Sequence, residues 1–241
     1  MKNPSYRSII KESFDVFFQN IKTLLGVAFI FTCFSLEPEV MSDLGFSDPA
    51  IILYIVCAII AYCILLIVLI LLAKGESGSL KALVEKALPS VLRIVGTQII
   101  FALIVGLLVG IAFLGVVTFE NPLLFIPVGG VLFIAFFYLI YCTQVVVCRK
   151  AWGLRALALS YEAVRGHWWW NFFFFIFVML ISIGLFIPLA FFPEDWFFIT
   201  QFNVREISTF FGPALYASLV VTLWYIFMTK AYLALNALKP E

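Results

Sequence analysis

The chain has 241 residues, of which 64% are hydrophobic and 12% are charged. Soluble domains carry about 25% charged residues, so this composition excludes a protein whose whole surface faces water. The net charge of +1 gives no reason to expect nucleic acid among its partners. Several apolar runs exceed the ~20 residues that cross a bilayer. The composition therefore predicts an integral membrane protein.

Six membrane spans are predicted from the apolar runs, at residues 21–36, 50–73, 94–119, 123–147, 171–192 and 210–228. Three further segments alternate apolar and charged residues at helical spacing, and each precedes an odd-numbered span. We expect these segments to lie as interfacial helices in the headgroup plane, at residues 5–20, 78–92 and 151–168. Only residues 120–122 separate the third span from the fourth, which predicts a tight helical hairpin.

The three amphipathic segments align with one another. An apolar residue followed by an acid recurs at residues 14–15, 84–85 and 161–162. The alignment predicts three repeats, each an interfacial helix followed by a transmembrane hairpin. The predicted fold class is an all-α integral membrane protein, a six-span helical bundle that forms one polytopic domain over residues 1–241.

Basic residues fall almost entirely in alternate gaps between the predicted spans. Fourteen of the fifteen Lys and Arg residues lie on one side, and Arg205 alone lies on the other. Eight of the fourteen acidic residues share the side of Arg205. Because basic residues near span ends stay in the cytoplasm, both termini are predicted to be cytoplasmic.

Residues 159–169 have the sequence Leu-Ser-Tyr-Glu-Ala-Val-Arg-Gly-His-Trp-Trp, and an aromatic span follows them. This order, with the interfacial segments, resembles the membrane domain family attached to some bacterial glycerophosphodiester phosphodiesterases and the related YciC-type inner-membrane proteins. The resemblance implies a bacterial cytoplasmic membrane and a six-span bundle. It implies no activity, since the phosphodiesterase chemistry of that family resides in an additional soluble barrel.

Reactive side chains are few. His167 is the only histidine, and it adjoins three tryptophans at a predicted span boundary, where a solvated interfacial imidazole is the simpler interpretation. The five cysteines lie in or at the ends of spans without a CxxC pair, which fits small buried hydrophobes. No catalytic, cofactor or metal residues are predicted, no cofactor is expected, and the protein is predicted not to be an enzyme. A site assembled from distant carboxylates is the alternative.

Two features inside the spans concern packing. A stripe of small residues predicts close helix packing in the third span: Ala102, Gly106 and Gly110. Four polar residues lie near the predicted cytoplasmic ends of spans three and four: Thr97, Gln98, Thr143 and Gln144. Interhelical hydrogen bonding is the simpler interpretation of these four, and a polar substrate vestibule is the alternative.

The best candidate for lipid contact is a group of basic and aromatic residues, here called the basic rim: Arg149, Lys150, Arg155, Arg165, Trp152 and Trp168. A Lys or Arg near an anionic leaflet contributes roughly 1 kcal/mol to attraction. Membrane lipids with anionic headgroups are therefore predicted partners, and simple anchoring is the alternative to a specific headgroup site.

The leading functional prediction is a non-catalytic bacterial inner-membrane protein in membrane homeostasis, lipid interaction or support of a partner enzyme. The alternative is a transporter of small solutes or lipids with a cavity between the repeats. A protein partner and a homo-oligomer both stay open.

Overall fold

A computed structural model of the protein describes residues 4–33, 47–119, 125–191 and 204–238. Nearly all of these residues are helical, and no strand occurs among them, which confirms the predicted all-α class for this part of the chain. The helices, in chain order, are α1 (Tyr6–Gln19), α2 (Ile21–Cys33), α3 (Asp48–Ala73), α4 (Leu80–Phe119), α5 (Phe125–Leu139), α6 (Cys142–Arg149), α7 (Gly153–Val164), α8 (Trp168–Phe186) and α9 (Val204–Ala237). A 3-10 helix, Ile187–Phe191, follows α8.

Within the described ranges, five helices are long and apolar enough to cross a membrane. The pair α1 and α2 raises this number to six if it counts as one broken span, since the two helices meet at 83°. Asn20 lies at this bend, and both its backbone N–H and its side-chain amide donate to the carbonyl of Val16. The protein is thus a multi-pass helical membrane protein, while the count of six spans and the threefold repeat stay predictions.

Helix α4 differs from the sequence-based expectation. Segment 78–92 and span 94–119 were expected to be separate elements, but one helix of 40 residues runs from Leu80 to Phe119 with Pro89 inside it. Proline removes one hydrogen bond, to the carbonyl four residues earlier. That residue is Glu85, which is exposed, so water or a lipid headgroup can satisfy its carbonyl and the helix continues.

Several predicted features lie outside the described residues. They are the hairpin connection at 120–122, the span ends at 34–36, 123–124 and 192, and the acidic residues Glu37, Glu39, Asp43, Glu120, Glu194 and Asp195.

The contacts between Cα atoms divide the chain into two compact units. Unit 1 comprises Met1–Asn3, Pro89–Phe173 and Tyr232–Glu241, and unit 2 comprises Pro4–Leu88 and Phe174–Ala231. Helices α4, α8 and α9 contribute residues to both. The single domain over residues 1–241 stays a prediction.

The core of unit 2 is built around α3. Residues 65–73 are buried on every face, whereas Ile52, Leu53 and Ile59 in the preceding half of the helix are exposed. Helix α2 packs against α3, and α1 contacts both. A helix that is apolar all round suits a protein interior at one end and lipid at the other, which is the pattern that α3 shows.

Candidate lipid-headgroup site

The candidate site lies in unit 1 beside a break in the predicted fourth span, where α5 ends at Leu139 and α6 begins at Cys142. A break frees backbone carbonyls, which need other partners inside a membrane. Ser160 Oγ of α7 donates to the carbonyl of Tyr138 at 2.9 Å, and Asn171 Nδ2 of α8 donates to the carbonyl of Phe137 at 3.4 Å. Both side chains are fully buried. They replace backbone donors that a continuous helix would supply.

Asn171 makes a second buried hydrogen bond. The hydroxyl of Tyr141 donates to Asn171 Oδ1 at 2.5 Å, and both residues have no exposed surface. The Tyr141 ring also lies 5.7 Å, between centroids, from the ring of Tyr232 near the end of α9. Asn171 therefore joins the broken span to the first turn of α8 through both atoms of its amide.

The turn between α6 and α7 is fixed by backbone geometry. Lys150 and Gly153 have φ of 52° and 59°, a left-handed conformation that glycine adopts without steric cost. The N–H of Gly153 donates to Thr97 Oγ1 of α4 at 2.9 Å, and that hydroxyl donates in turn to the carbonyl of Arg93. A Cβ at Gly153 would lie 3.3 Å from Ile100 Cδ1. The turn is therefore held against α4.

All six predicted headgroup residues lie in the segment from the end of α6 to the start of α8. Its four basic residues are exposed, and so is Trp152 at 62%. In chain order, Arg149 ends α6, Lys150 and Trp152 precede α7, Arg155 lies in its first turn, Arg165 follows it and Trp168 begins α8.

Trp168 is the member of the basic rim whose placement differs from the expectation. Its ring is half-buried and stacks on Phe172, with centroids 5.3 Å apart and planes at 8°, and its edge meets Phe137. The next residue, Trp169, is 66% exposed and was not among the predicted site residues. Because each helical residue turns about 100° from the last, three adjacent tryptophans cannot all face outwards, and only the fold shows which one does.

Helix α7 divides the basic residues into two groups. Arg155 and Arg165 are separated by about 15 Å along the helix axis, so one phosphate group cannot contact both. Arg149, Lys150 and Arg155 form the first group, and the guanidinium of Arg149 also donates to Asn236 Oδ1. Arg165 belongs to the second group, at the turn between α7 and α8.

That second group adjoins a cavity. The cavity has a volume of about 270 Å³ and is lined by Gly166, His167, Trp168, Trp169 and Trp170. His167 is only 4% exposed, so the prediction of a solvated imidazole is wrong. The backbone N–H of His167 donates to the carbonyl of Val164, and Gly166 has a φ of 87°. The tight turn at Gly166 and His167 is thus accompanied by burial of the imidazole ring.

The predicted small-residue packing surface has no packing partner in the described part of the chain. A Cβ added at Gly106 or Gly110 meets no atom within 4 Å, and Ala102 is exposed. The expected close packing is therefore not seen among the described residues, and a packing role for this stripe stays a prediction. The physical reason is that most of α4 faces outwards, since only 11% of the most apolar 18-residue stretch of this helix is buried.

The predicted polar group does join α4 to α6. Gln98 Nε2 reaches Thr143 Oγ1 at 3.4 Å, as the interpretation of interhelical hydrogen bonding expects. Gln144 is 2% exposed, and its Oε1 has no hydrogen-bond partner among the described atoms. This oxygen is the feature most compatible with the alternative of a polar vestibule.

In the part of the chain that the structure describes, no group of three or more His, Cys, Asp or Glu side chains is placed to hold a metal ion. No protein-family model matches the chain, and no curated protein or solved structure matches it either.

Proposed function

We propose that this protein binds anionic phospholipid headgroups at its basic rim and serves membrane homeostasis or lipid handling without catalysing a reaction. One observation carries the proposal: four exposed basic residues share one segment with the exposed Trp152 and Trp169, on a backbone that buried hydrogen bonds hold in place. Cations attract lipid phosphate, and indole rings favour the membrane interface. Their combination on one fixed segment suits headgroup binding.

The chemistry of the rim suits phosphate in particular. An Arg guanidinium presents donors in a planar fork that matches two phosphate oxygens, whereas Lys acts as a point charge. The rim contains three Arg and one Lys. Because Arg155 and Arg165 lie about 15 Å apart along α7, we propose that the basic residues at the two ends of this helix bind separate headgroups.

The proposed membrane is the bacterial cytoplasmic membrane, with both termini and the rim on the cytoplasmic side. The unequal distribution of basic residues supports this orientation. The resemblance of residues 159–169 to the membrane domain of bacterial glycerophosphodiester phosphodiesterases and to YciC-type proteins supports the same membrane. It also supports a role in which the protein assists a partner enzyme.

A first experiment tests headgroup binding. Replacing Arg149, Lys150, Arg155 and Arg165 with Gln is expected to reduce retained anionic lipid, relative to zwitterionic lipid, by about tenfold. That factor corresponds to about 1.4 kcal/mol, well below the roughly 4 kcal/mol that four fully effective cations would contribute. Native mass spectrometry after gentle extraction measures the ratio.

Two controls separate a specific site from general attraction. The first replaces four exposed basic residues elsewhere with Gln: Arg7, Lys11, Lys74 and Lys81. An equal loss of anionic lipid in this variant would contradict the proposal and leave only surface attraction. The second replaces the three Arg residues of the rim with Lys, which keeps the charge, so a bidentate site should weaken while surface attraction persists.

A second experiment tests the orientation. In a background without native cysteines, Ser47→Cys is expected to react with an impermeant thiol reagent added outside intact cells, whereas Ser77→Cys is not. Both serines are exposed, so the membrane alone should decide their reactivity. Labelling of Ser77→Cys from outside would overturn the orientation. Gly153 suits this test less well, because its positive φ strains any other residue.

The second candidate function is transport. Broken helices form the substrate sites of many transporters, and the unpartnered Gln144 Oε1 lies in α6, next to such a break. One observation argues against transport: the side chains of Ser160 and Asn171 already donate hydrogen bonds to the carbonyls beside the break. A polar solute retained in place of phospholipid in the mass spectra would favour transport.

A further inference from the structure

A separate feature of unit 2 is a groove between α8 and α9. The two helices meet at two levels: the rings of Phe175 and Trp224 contact edge to face with centroids 6.2 Å apart, and the hydroxyl of Tyr216 donates to the carbonyl of Leu185 at 2.7 Å. Between these levels lies a groove of about 370 Å³, whose walls include Met179, Ser182, Ile183, Val220 and Val221. We call it the α8–α9 groove.

The polar side chains of this groove are satisfied within the protein. Ser182 Oγ donates to the carbonyl of Val178 at 3.0 Å, and the hydroxyl of Tyr225 shares a 2.6 Å hydrogen bond with that of Tyr62. The other walls are apolar except for the indole N–H of Trp224. An occupant therefore needs no polar group along its length. Both helices are apolar enough to span a membrane, so the medium that the groove opens to is hydrocarbon.

The dimensions of the groove distinguish between two apolar occupants, a helix and an extended hydrocarbon chain. Its ends are ten α8 residues apart, or about 15 Å, which is half of a ~30 Å hydrocarbon core. A helix of that length, about 10 Å wide, would fill on the order of 1,200 Å³, far more than the groove offers. The available volume corresponds to a cross-section of about 25 Å² over about 15 Å. Such a channel fits one extended hydrocarbon chain.

We propose that the α8–α9 groove binds one acyl chain of a membrane phospholipid and retains it more tightly than the lipid that surrounds the protein. The two levels of helix contact define the ends of the site, and the flexible side chain of Met179 adapts its wall to the chain. This proposal does not depend on the headgroup site of unit 1.

Photo-crosslinking tests it. The full-length protein is reconstituted with a phospholipid that carries a diazirine in the middle of one acyl chain, and it is washed with detergent to remove surrounding lipid before illumination. Crosslinks to Met179, Ile183 and Val221 are expected to survive the wash. Crosslinks to Leu103 and Leu107, which are exposed on α4, are expected to disappear. Peptide mapping by mass spectrometry measures both.

A variant whose groove is filled by larger side chains tests whether the acyl chain binds there. The double substitution Val221→Phe and Ser182→Leu is expected to reduce groove crosslinking by at least about tenfold, the effect of denying space to a hydrocarbon group. The control, Leu180→Phe, introduces a Phe on the same helix at a 61% exposed position outside the groove walls and should leave crosslinking unchanged. Thermal melting shows whether each variant is folded.

Two results would overturn the proposal. In the first, the detergent wash abolishes crosslinks to the groove residues as well as crosslinks to the α4 residues. The chain in the groove would then be ordinary surrounding lipid, and this result requires no variant. In the second, the variant with Val221→Phe and Ser182→Leu keeps its crosslinks, which would place the bound chain outside the groove. Gln substitution of the basic rim should not change groove crosslinking, so the acyl-chain and headgroup proposals can fail separately.

Discussion

Replacing Asn171 with Leu is expected to lower the free energy of unfolding by about 3 kcal/mol. Leu has a similar volume but removes the donor to the Phe137 carbonyl and the acceptor of the Tyr141 hydroxyl, and the loss of a partner for a buried polar group costs ~1–3 kcal/mol. Average interhelical hydrogen bonds in membranes contribute only ~0.6 kcal/mol, but Asn171 and Tyr141 are both fully buried, so water cannot replace the lost bonds. Thermal melting in detergent should show a Tm lower by about 6–12 °C.

Two further variants show whether the lost hydrogen bonds cause this effect. Gln98→Leu removes an exposed 3.4 Å hydrogen bond and should change stability by less than about 0.5 kcal/mol. Tyr141→Phe, alone and combined with Asn171→Leu, forms a double-mutant cycle whose coupling energy isolates their shared bond. A wild-type Tm for Asn171→Leu would mean that the freed carbonyl finds another donor.

The parts of the fold that could be predicted from the sequence are those that the surrounding medium, lipid or the membrane interface, requires. Lipid requires long apolar helices, and the interface requires amphipathic ones, so residues 5–20 and 151–168 were identified from periodicity as α1 and α7. Helix α4 was divided wrongly because the sequence does not show whether the carbonyl that Pro89 leaves unpaired, that of Glu85, can find another partner. The carbonyl of Glu85 lies where water or headgroups reach it, and a break at Pro89 is unnecessary.

The interior of the site could not be predicted for a related reason. Nothing in the apolar sequence around Leu139 marks a helix end, because the break depends on donors from two distant residues, Ser160 and Asn171. Sequence identified Asn171 only as the start of a span. The sequence picked out the basic residues of the rim, whose role in headgroup binding stays a prediction, while their division by α7 and the outward turn of Trp169 follow from helix geometry.

Replacing Gly153 with Val is expected to destabilise the protein by about 3 kcal/mol. A left-handed backbone costs L-residues ~1–2 kcal/mol, and a β-branched residue is a strained outlier there. The new Cβ would also press on Ile100 Cδ1 from 3.3 Å, and any shift of the turn would weaken the hydrogen bond from residue 153 to Thr97. Because Trp152 and Arg155 flank this turn, retention of anionic lipid should fall together with the Tm.

Gly106→Val is the matched control, since it introduces the same side chain into α4 where a Cβ meets no described atom within 4 Å. Its effect should stay within about 0.5 kcal/mol, as for most surface substitutions. Equal destabilisation by both variants would show that the stripe formed by Ala102, Gly106 and Gly110 packs against a partner. A mild effect of Gly153→Val would mean that the turn can relax, and the basic rim would then lack the fixed backbone that a bidentate phosphate site requires.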